Sequence, residues 1–353
     1  MPAIRRTGTV LTAAAACATL LATSATAAGP SWHNVAVPKP VSAGAMSFLD
    51  AAGTGKTAWA VGTENSKTTL LGWNGTTWKR QSSPTRFIPT GVAVANAKNA
   101  WAGGIGVLVP VAMHWNGTKW SQVPYPGYTF PMAFAAAPDG SAWSISGIDR
   151  SGGGPSSLLR WTGKAWASVT VPLPPSSSMS AIGARSKTDV WVGGTYSNGI
   201  GVYPLVLHWN GSSWKRMAAP SGSWGQPAHQ NIMQKIVPAS ATSVWALRSQ
   251  YAGSLLHWNG KSWREIPLPL GAQPLALADD GTGGAWVTTG NAPSRTTYLH
   301  WTGTKWTTVY GPVRKGATTL GDLDHVPGGS VLLSVGATKG SKDQVPFIER
   351  YGS

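Results

Sequence analysis

One pattern leaves this chain little freedom of fold. Two Trp stand five residues apart around a Gly-containing turn, a Pro follows the second Trp by six, and the 353-residue sequence holds six complete copies. They read "LLGWNGTTWKRQSSP" from Leu70, "AMHWNGTKWSQVPYP" from Ala112, "LLRWTGKAWASVTVP" from Leu158, "VLHWNGSSWKRMAAP" from Val206, "LLHWNGKSWREIPLP" from Leu255 and "YLHWTGTKWTTVYGP" from Tyr298. A further Trp precedes each copy, at Trp59, Trp101, Trp143, Trp191, Trp245 and Trp286. Upstream of that lies a short alternating run such as "GVAVANA", "PMAFAAA" or "PLALADD". Alternation of period two marks a half-buried strand, and Asn-Gly or Thr-Gly between apolar runs is hairpin-turn chemistry. One unit therefore reads as four strands repeating every 42 to 50 residues or so, the size of one blade in a radial array of sheets.

The two ends of the chain set the number of units. After Pro312, "TLGDLDHV" and "GSVLLSVG" match the first two strands of a unit, with Leu332 in the inner Trp position, and "FIERYGS" matches the third. The missing fourth strand is found near the start, where "SWHNVAVP" places Trp32 and Pro38 six apart. The expectation is an all-β protein, a seven-bladed β-propeller of four-stranded blades whose ring is closed by the N-terminal strand completing blade 7. The blades fall near 39–84, 85–126, 127–172, 173–220, 221–269, 270–312, and 313–353 plus 31–38, within a single domain of residues 29–353. A content of 44 Gly, 26 Pro and 20 Trp agrees with this, since Gly and Pro punctuate short strands and Trp fills the gaps between sheets.

Residues 1–28 read differently. Arg5 and Arg6 precede an apolar run from Val10 to Leu21 and the small-residue end Ala25-Thr26-Ala27, the pattern of a signal peptide cleaved near Ala27 or Ala28. The expected location is therefore secreted and extracellular, with no membrane span in the mature form. The single Cys, Cys17, lies inside this segment, so the mature chain has no disulfide, no thiolate metal site and no cysteine nucleophile. Losing Arg5 and Arg6 lowers the net charge from +16 to +14. That surplus suits retention at anionic wall polymers, while the absence of clustered basic runs argues against nucleic acid as a partner.

The repeat explains most residues that could be mistaken for chemistry. His114, His208, His257 and His300 each precede a repeat Trp and are strand residues on different blades, so no metal site is expected. Asn74, Asn116 and Asn210 fit glycosylation sequons, but turn chemistry accounts for them. Asp139, Asp189, Asp279 and Asp280 fall in turns, and alternation in "DLDH" puts Asp322 and Asp324 on one side with His325 on the other.

Binding groups are sought where the repeat is broken. The longest blade-to-blade insert, Ser221 to Asn231, holds Trp224 with Gln226, His229 and Gln230, a set suited to stacking on a sugar ring. Loops between blades and loops joining the second and third strands share one face, which by this reading also carries Tyr125, Tyr128, Arg150, Tyr196, Tyr203, Arg248, Tyr251 and Arg295. Glycoside hydrolysis requires two carboxylates across one cleft, and Glu64 with Asp343, on neighbouring blades 1 and 7, are the candidates for such a pair. No phosphate loop, zinc spacing or Ser-His-Asp arrangement is present, and no cofactor is expected.

The blade plan, an inner "VWAVG"-like strand followed by "LLHxxxGxxW", resembles Asp-box (BNR-type) and photosystem II assembly-factor-like propellers over nearly all of the mature chain. An Asp box carries Ser-x-Asp-x-Gly-x-Thr-Trp; Gly260 and Trp263 match its Gly and Trp, and Trp258 stands where the Asp would be. The units also look like those of secreted repeat proteins of high-GC bacteria. These features lead to a monomeric, secreted, non-enzymatic propeller that binds a glycan, an anionic cell-wall polymer or a protein. The alternative is a secreted glycoside hydrolase or lyase on the same scaffold.

Overall fold

The computed structural model describes residues 29–353 except 40–45, 108, 127–128, 148–155, 220–231, 249–252, 291–292, 327–330, 341–343 and 353. Its strands form seven antiparallel four-stranded sheets arranged as a seven-bladed propeller. We letter the strands of each blade A to D from the axis outward. Blades 1 to 6 occupy 46–81, 88–123, 130–169, 177–216, 233–267 and 274–310. In blade 7, strands A to C are Thr318–Val326, Val331–Lys339 and Gln344–Gly352, and strand D is Ser31–Val35. The N-terminal strand thus closes the ring, and the A strands of blades 7 and 1 pack together. Among the described residues no helix is long and apolar enough to cross a membrane.

The hairpin motif is a C–D turn of four residues. Trp73 pairs with Trp78, and Asn74 Oδ1 accepts the N–H groups of Thr76 and Thr77 at 3.0 and 2.9 Å. Gly75 alone in that turn takes a positive φ, 98°. Asn therefore serves as a side-chain cap, and in the variant turn Thr162 Oγ1 takes the same role for the N–H of Ala165 at 3.2 Å.

The buried B-strand Trp of blades 1 to 6 packs into the next blade. Trp59 lies 4.8 and 4.7 Å from Trp115 and Trp120, and Trp191 lies 5.9 Å from Trp258 and from Trp263. These edge and tilted contacts are the geometry aromatic quadrupoles favour. At ring closure Trp32 takes the same part, stacked on Tyr298 at 3.7 Å and edge-on to Trp286 at 5.8 Å.

Blade 7 departs from the expected alignment by one residue. Trp32 pairs with Tyr351, which therefore stands where other blades carry the first hairpin Trp, and Arg350 stands at the His position. Leu333, paired with Arg350, occupies the inner Trp position and packs against Trp78 of blade 1, so Leu332 does not. The cause is a longer A–B hairpin, visible only once the register of the whole blade is known.

All seven A strands carry a register shift at one place, between Phe48 and Asp50, Pro89 and Gly91, Pro131 and Ala133, Met179 and Ala181, Met233 and Lys235, Pro274 and Ala276, and Leu320 and Asp322. Bulges bend a strand and increase its twist, which curls each inner strand along the axis. The second Gly after the inner Trp lies against this bulge: a Cβ on Gly194 would sit 2.0 Å from the Ser178 carbonyl oxygen.

Candidate functional site

The residue after each bulge sits at the crowded centre of the ring. Four are Gly or Ala, namely Gly91, Ala133, Ala181 and Ala276, whereas Asp50, Lys235 and Asp322 are charged. The Lys235 Nζ reaches across blade 6 to Asp322 Oδ2 at 2.7 Å. Two residues further, Asp324 accepts the Gly53 N–H of blade 1 at 2.9 Å. Burial pushes the Asp324 carboxyl up to about 7, with Lys235 pulling it down and the neighbouring Asp322 pushing it up. His325 points the other way, its Nδ1 2.9 Å from Asp279 Oδ1 of blade 6. Lys235, Asp324, His325 and Asp279 line a central cavity of about 450 Å³ that also reaches Arg185. Alternation in "DLDH" is as expected, but Asp279 does more than close a turn: it pairs with His325 besides accepting the Gly281 N–H.

Asp189 also exceeds turn chemistry. Its carboxylate takes Arg185 Nε at 2.7 Å, His208 Nε2 at 3.0 Å and the Trp191 indole N–H at 2.9 Å. Burial pushes its pKa up, but the hydrogen bonds from His208 and Arg185 outweigh this and hold it below the usual carboxylate range. The other repeat His residues are held alike: His114 by Asn99, His257 by Ser243 and His300 by Asp280, at 3.1, 3.0 and 2.9 Å. Each is committed within its own blade.

The rim residues expected from sequence fare unevenly. Tyr203 stacks on Tyr196 at 5.4 Å, with Arg216 over Tyr196, and Arg295 lies over the Tyr310 ring at 3.8 Å. Arg248 is not a rim group: it is 2% exposed and its guanidinium pairs with Glu265 on its own blade. Tyr125 also turns inward, its hydroxyl 2.9 Å from Ser144 Oγ. Glu64 is 5% exposed and takes Arg80 Nη1 at 2.8 Å, so its carboxylate is already engaged. Trp224, Gln226, His229, Arg150, Tyr128, Tyr251 and Asp343 lie outside the described residues.

That face has a further property that residue-by-residue reading missed. The exposed large apolar residues among the described ones are Ile88, Val107, Val109, Ile200, Leu270, Leu275, Tyr310, Val313 and Val345. Each lies in a B–C loop, a blade-to-blade loop, or the strand end beside one. The opposite face presents the polar A–B and C–D turns. The apolar set comes from several blades and forms a single face only after the ring closes, so no local signal in the sequence announces it.

No protein-family model matches the chain, and no curated protein matches it. Solved structures do. YCF48 bound to the D1 peptide is 16% identical with a TM-score of 0.58, covering 92% of this chain and 100% of that one. A catalytically inactive virginiamycin B lyase from Staphylococcus aureus, solved with quinupristin, is 10% identical with a TM-score of 0.65, covering 92% and 99%. The fucose-specific lectin from Aleuria aurantia is 12% identical with a TM-score of 0.51, covering 77% and 98%. What this chain shares with all three, at such identities, is the propeller fold.

Proposed function

We propose that this protein is a secreted, non-enzymatic propeller that docks a polypeptide partner through the face built by its B–C and blade-to-blade loops. The observation that carries the reading is the gathering of exposed large apolar side chains on that face. Exposed apolar surface rimmed by polar groups marks interaction sites, and aliphatic side chains such as Ile200 and Leu270 suit a polypeptide better than a sugar. Tyr203 and Arg295 supply the Tyr and Arg character common at such surfaces. Trp224, Gln226, His229, Arg150 and Tyr251 are assigned to the same face by sequence. YCF48, solved with a bound peptide, supports the reading by precedent of architecture. The test is retention of peptides, glycans and anionic wall polymers on the immobilised mature protein. Peptide retention that falls when Ile200 and Leu270 become Ser supports it; glycan or polymer retention that ignores those changes moves the function to another ligand class.

A hydrolase or lyase is the second reading. The presence of Lys235, Asp324 and His325 around the central cavity, with Asp322 paired to Lys235, favours it, since paired titratable groups in a cleft are the usual equipment of acid–base chemistry. It requires turnover of a polymer or cyclic ester that Asp324→Asn abolishes without loss of binding.

A further inference from the structure

The exposed apolar side chains of the loop face are not evenly spread. Leu270, Leu275, Tyr310, Val313 and Val345, five of the nine among the described residues, fall on one arc that runs from the loop between blades 5 and 6 to the B–C loop of blade 7. Backbone hydrogen bonds join the loops of this arc into one surface. The Gly290 N–H donates to the Gln273 carbonyl at 2.8 Å, the Arg314 N–H to Ser294 at 2.6 Å and the Lys339 N–H to Ala317 at 2.8 Å. A surface that is already ordered loses little freedom when a partner docks. The arc also carries charge of one sign. Arg295, Lys315 and Lys339 are exposed, and none forms an ion pair with a described residue. Arg295 lies over Tyr310, Lys315 follows Val313 by two, and Lys339 pairs with Gln344 beside Val345, so cations and apolar groups are interleaved. The described residues of these loops include no Asp or Glu; Asp343 lies outside them and adjoins Lys342 in sequence, so that pair adds no net charge.

We infer that this arc over blades 6 and 7 is a docking site for an acidic amphipathic polypeptide segment, one in which Asp or Glu is interspersed with large apolar residues. This placement rests on the reading of the loop face as a polypeptide surface, and adds the sector the partner occupies and the chemistry it carries. The exposed apolar side chains take the partner's apolar groups out of water. Three cations with no opposing carboxylate steer an acidic segment and reject a basic one. An anionic membrane shares the charge preference, but lipid-binding clusters gather about four or more Lys and Arg together, whereas these three are set singly among apolar residues.

The test is selection from a phage-displayed library of random peptides on the immobilised mature protein at physiological salt, with vesicles of phosphatidylglycerol and phosphatidylcholine as a second probe. Selected sequences are enriched in Asp and Glu together with Leu, Ile or Phe. A synthetic copy of the strongest binds about tenfold more weakly to Lys315→Glu with Lys339→Glu, and replacing its Asp and Glu by Asn and Gln removes that difference. Lys164→Glu with Lys305→Glu, the same charge change on the exposed C–D turns of the opposite face, leaves binding unchanged. Peptides selected without acidic enrichment, or weakened no more by the first pair of changes than by the second, overturn the inference while the polypeptide reading stands. Selection of no peptide overturns both, and vesicle binding abolished by Lys315→Glu with Lys339→Glu in that case gives the arc to a lipid surface.

Discussion

His114, His208, His257 and His300 show how one residue type is absorbed by a repeat. Three stack on the inner Trp of their blade at 3.9 to 4.2 Å, and His114 lies at a tilt 5.1 Å from Trp101. Their place one residue before a hairpin Trp was enough to read them as structural. Asp324 shows the opposite: its burial, and its partners Gly53 and Lys235, 271 and 89 residues away, are properties that no local pattern reveals. Its carboxyl, ordinarily 3.8, is pushed up to about 7 by burial, so the folded protein holds a proton that the unfolded chain has released. Stability from this group is complete below about 4 and is lost as pH rises through about 7. Burial lowers His114 and His257, so their contribution runs the other way and is lost as pH falls below 6.5. The variant isolates the carboxylate: the melting temperature of the wild type relative to Asp324→Asn falls between pH 5 and pH 8. A flat difference across that range contradicts the assignment.

At the scale of elements, strand order and blade count were legible because hairpin turns and Trp spacing are local signals. The bulge shared by the A strands was not, nor was the one-residue offset in blade 7, since both depend on pairing with a neighbouring strand. The closing strand Ser31–Val35 is secured by more than its ladder. Trp32 is 5% exposed in the blade 6 interface, and Asn34 Oδ1 accepts from Arg314 Nη2. Arg314 in turn pairs with Glu349, a fully buried carboxylate that also accepts the Tyr298 hydroxyl. Trp32→Ala is expected to cost about 3–5 kcal/mol as a large aromatic deletion in a core, read from denaturant midpoints. Glu349→Ala, which strands Arg314 and Tyr298, is expected to cost a similar ~3–5 kcal/mol. A smaller unit tests the turn chemistry: Asn116→Ala deprives the N–H groups of Thr118 and Lys119 of their acceptor and is expected to cost about 1 kcal/mol, as loss of a comparable side-chain cap does in a helix. An Asn116→Ala protein as stable as the wild type would leave Gly117 as the sole determinant of that turn.

The whole molecule combines a net charge of +16 with a polar turn face and an apolar loop face. Composition alone could report the charge, but which face each apolar side chain reaches is a property of the closed ring. Attraction to anionic polymers through charge is diffuse and screened, and at 0.15 M salt the Debye length is about 8 Å; retention on such a polymer is expected to fall steeply between low and physiological salt. Docking through the apolar face is expected to persist. The most direct measurement is therefore binding of retained peptides, at physiological salt, to the wild type, to Ile200→Ser with Leu270→Ser, and to Leu333→Trp on the opposite face. The account predicts that the double substitution removes binding and Leu333→Trp leaves it intact. Peptide binding unchanged by the double substitution, or no peptide retained at all, contradicts it.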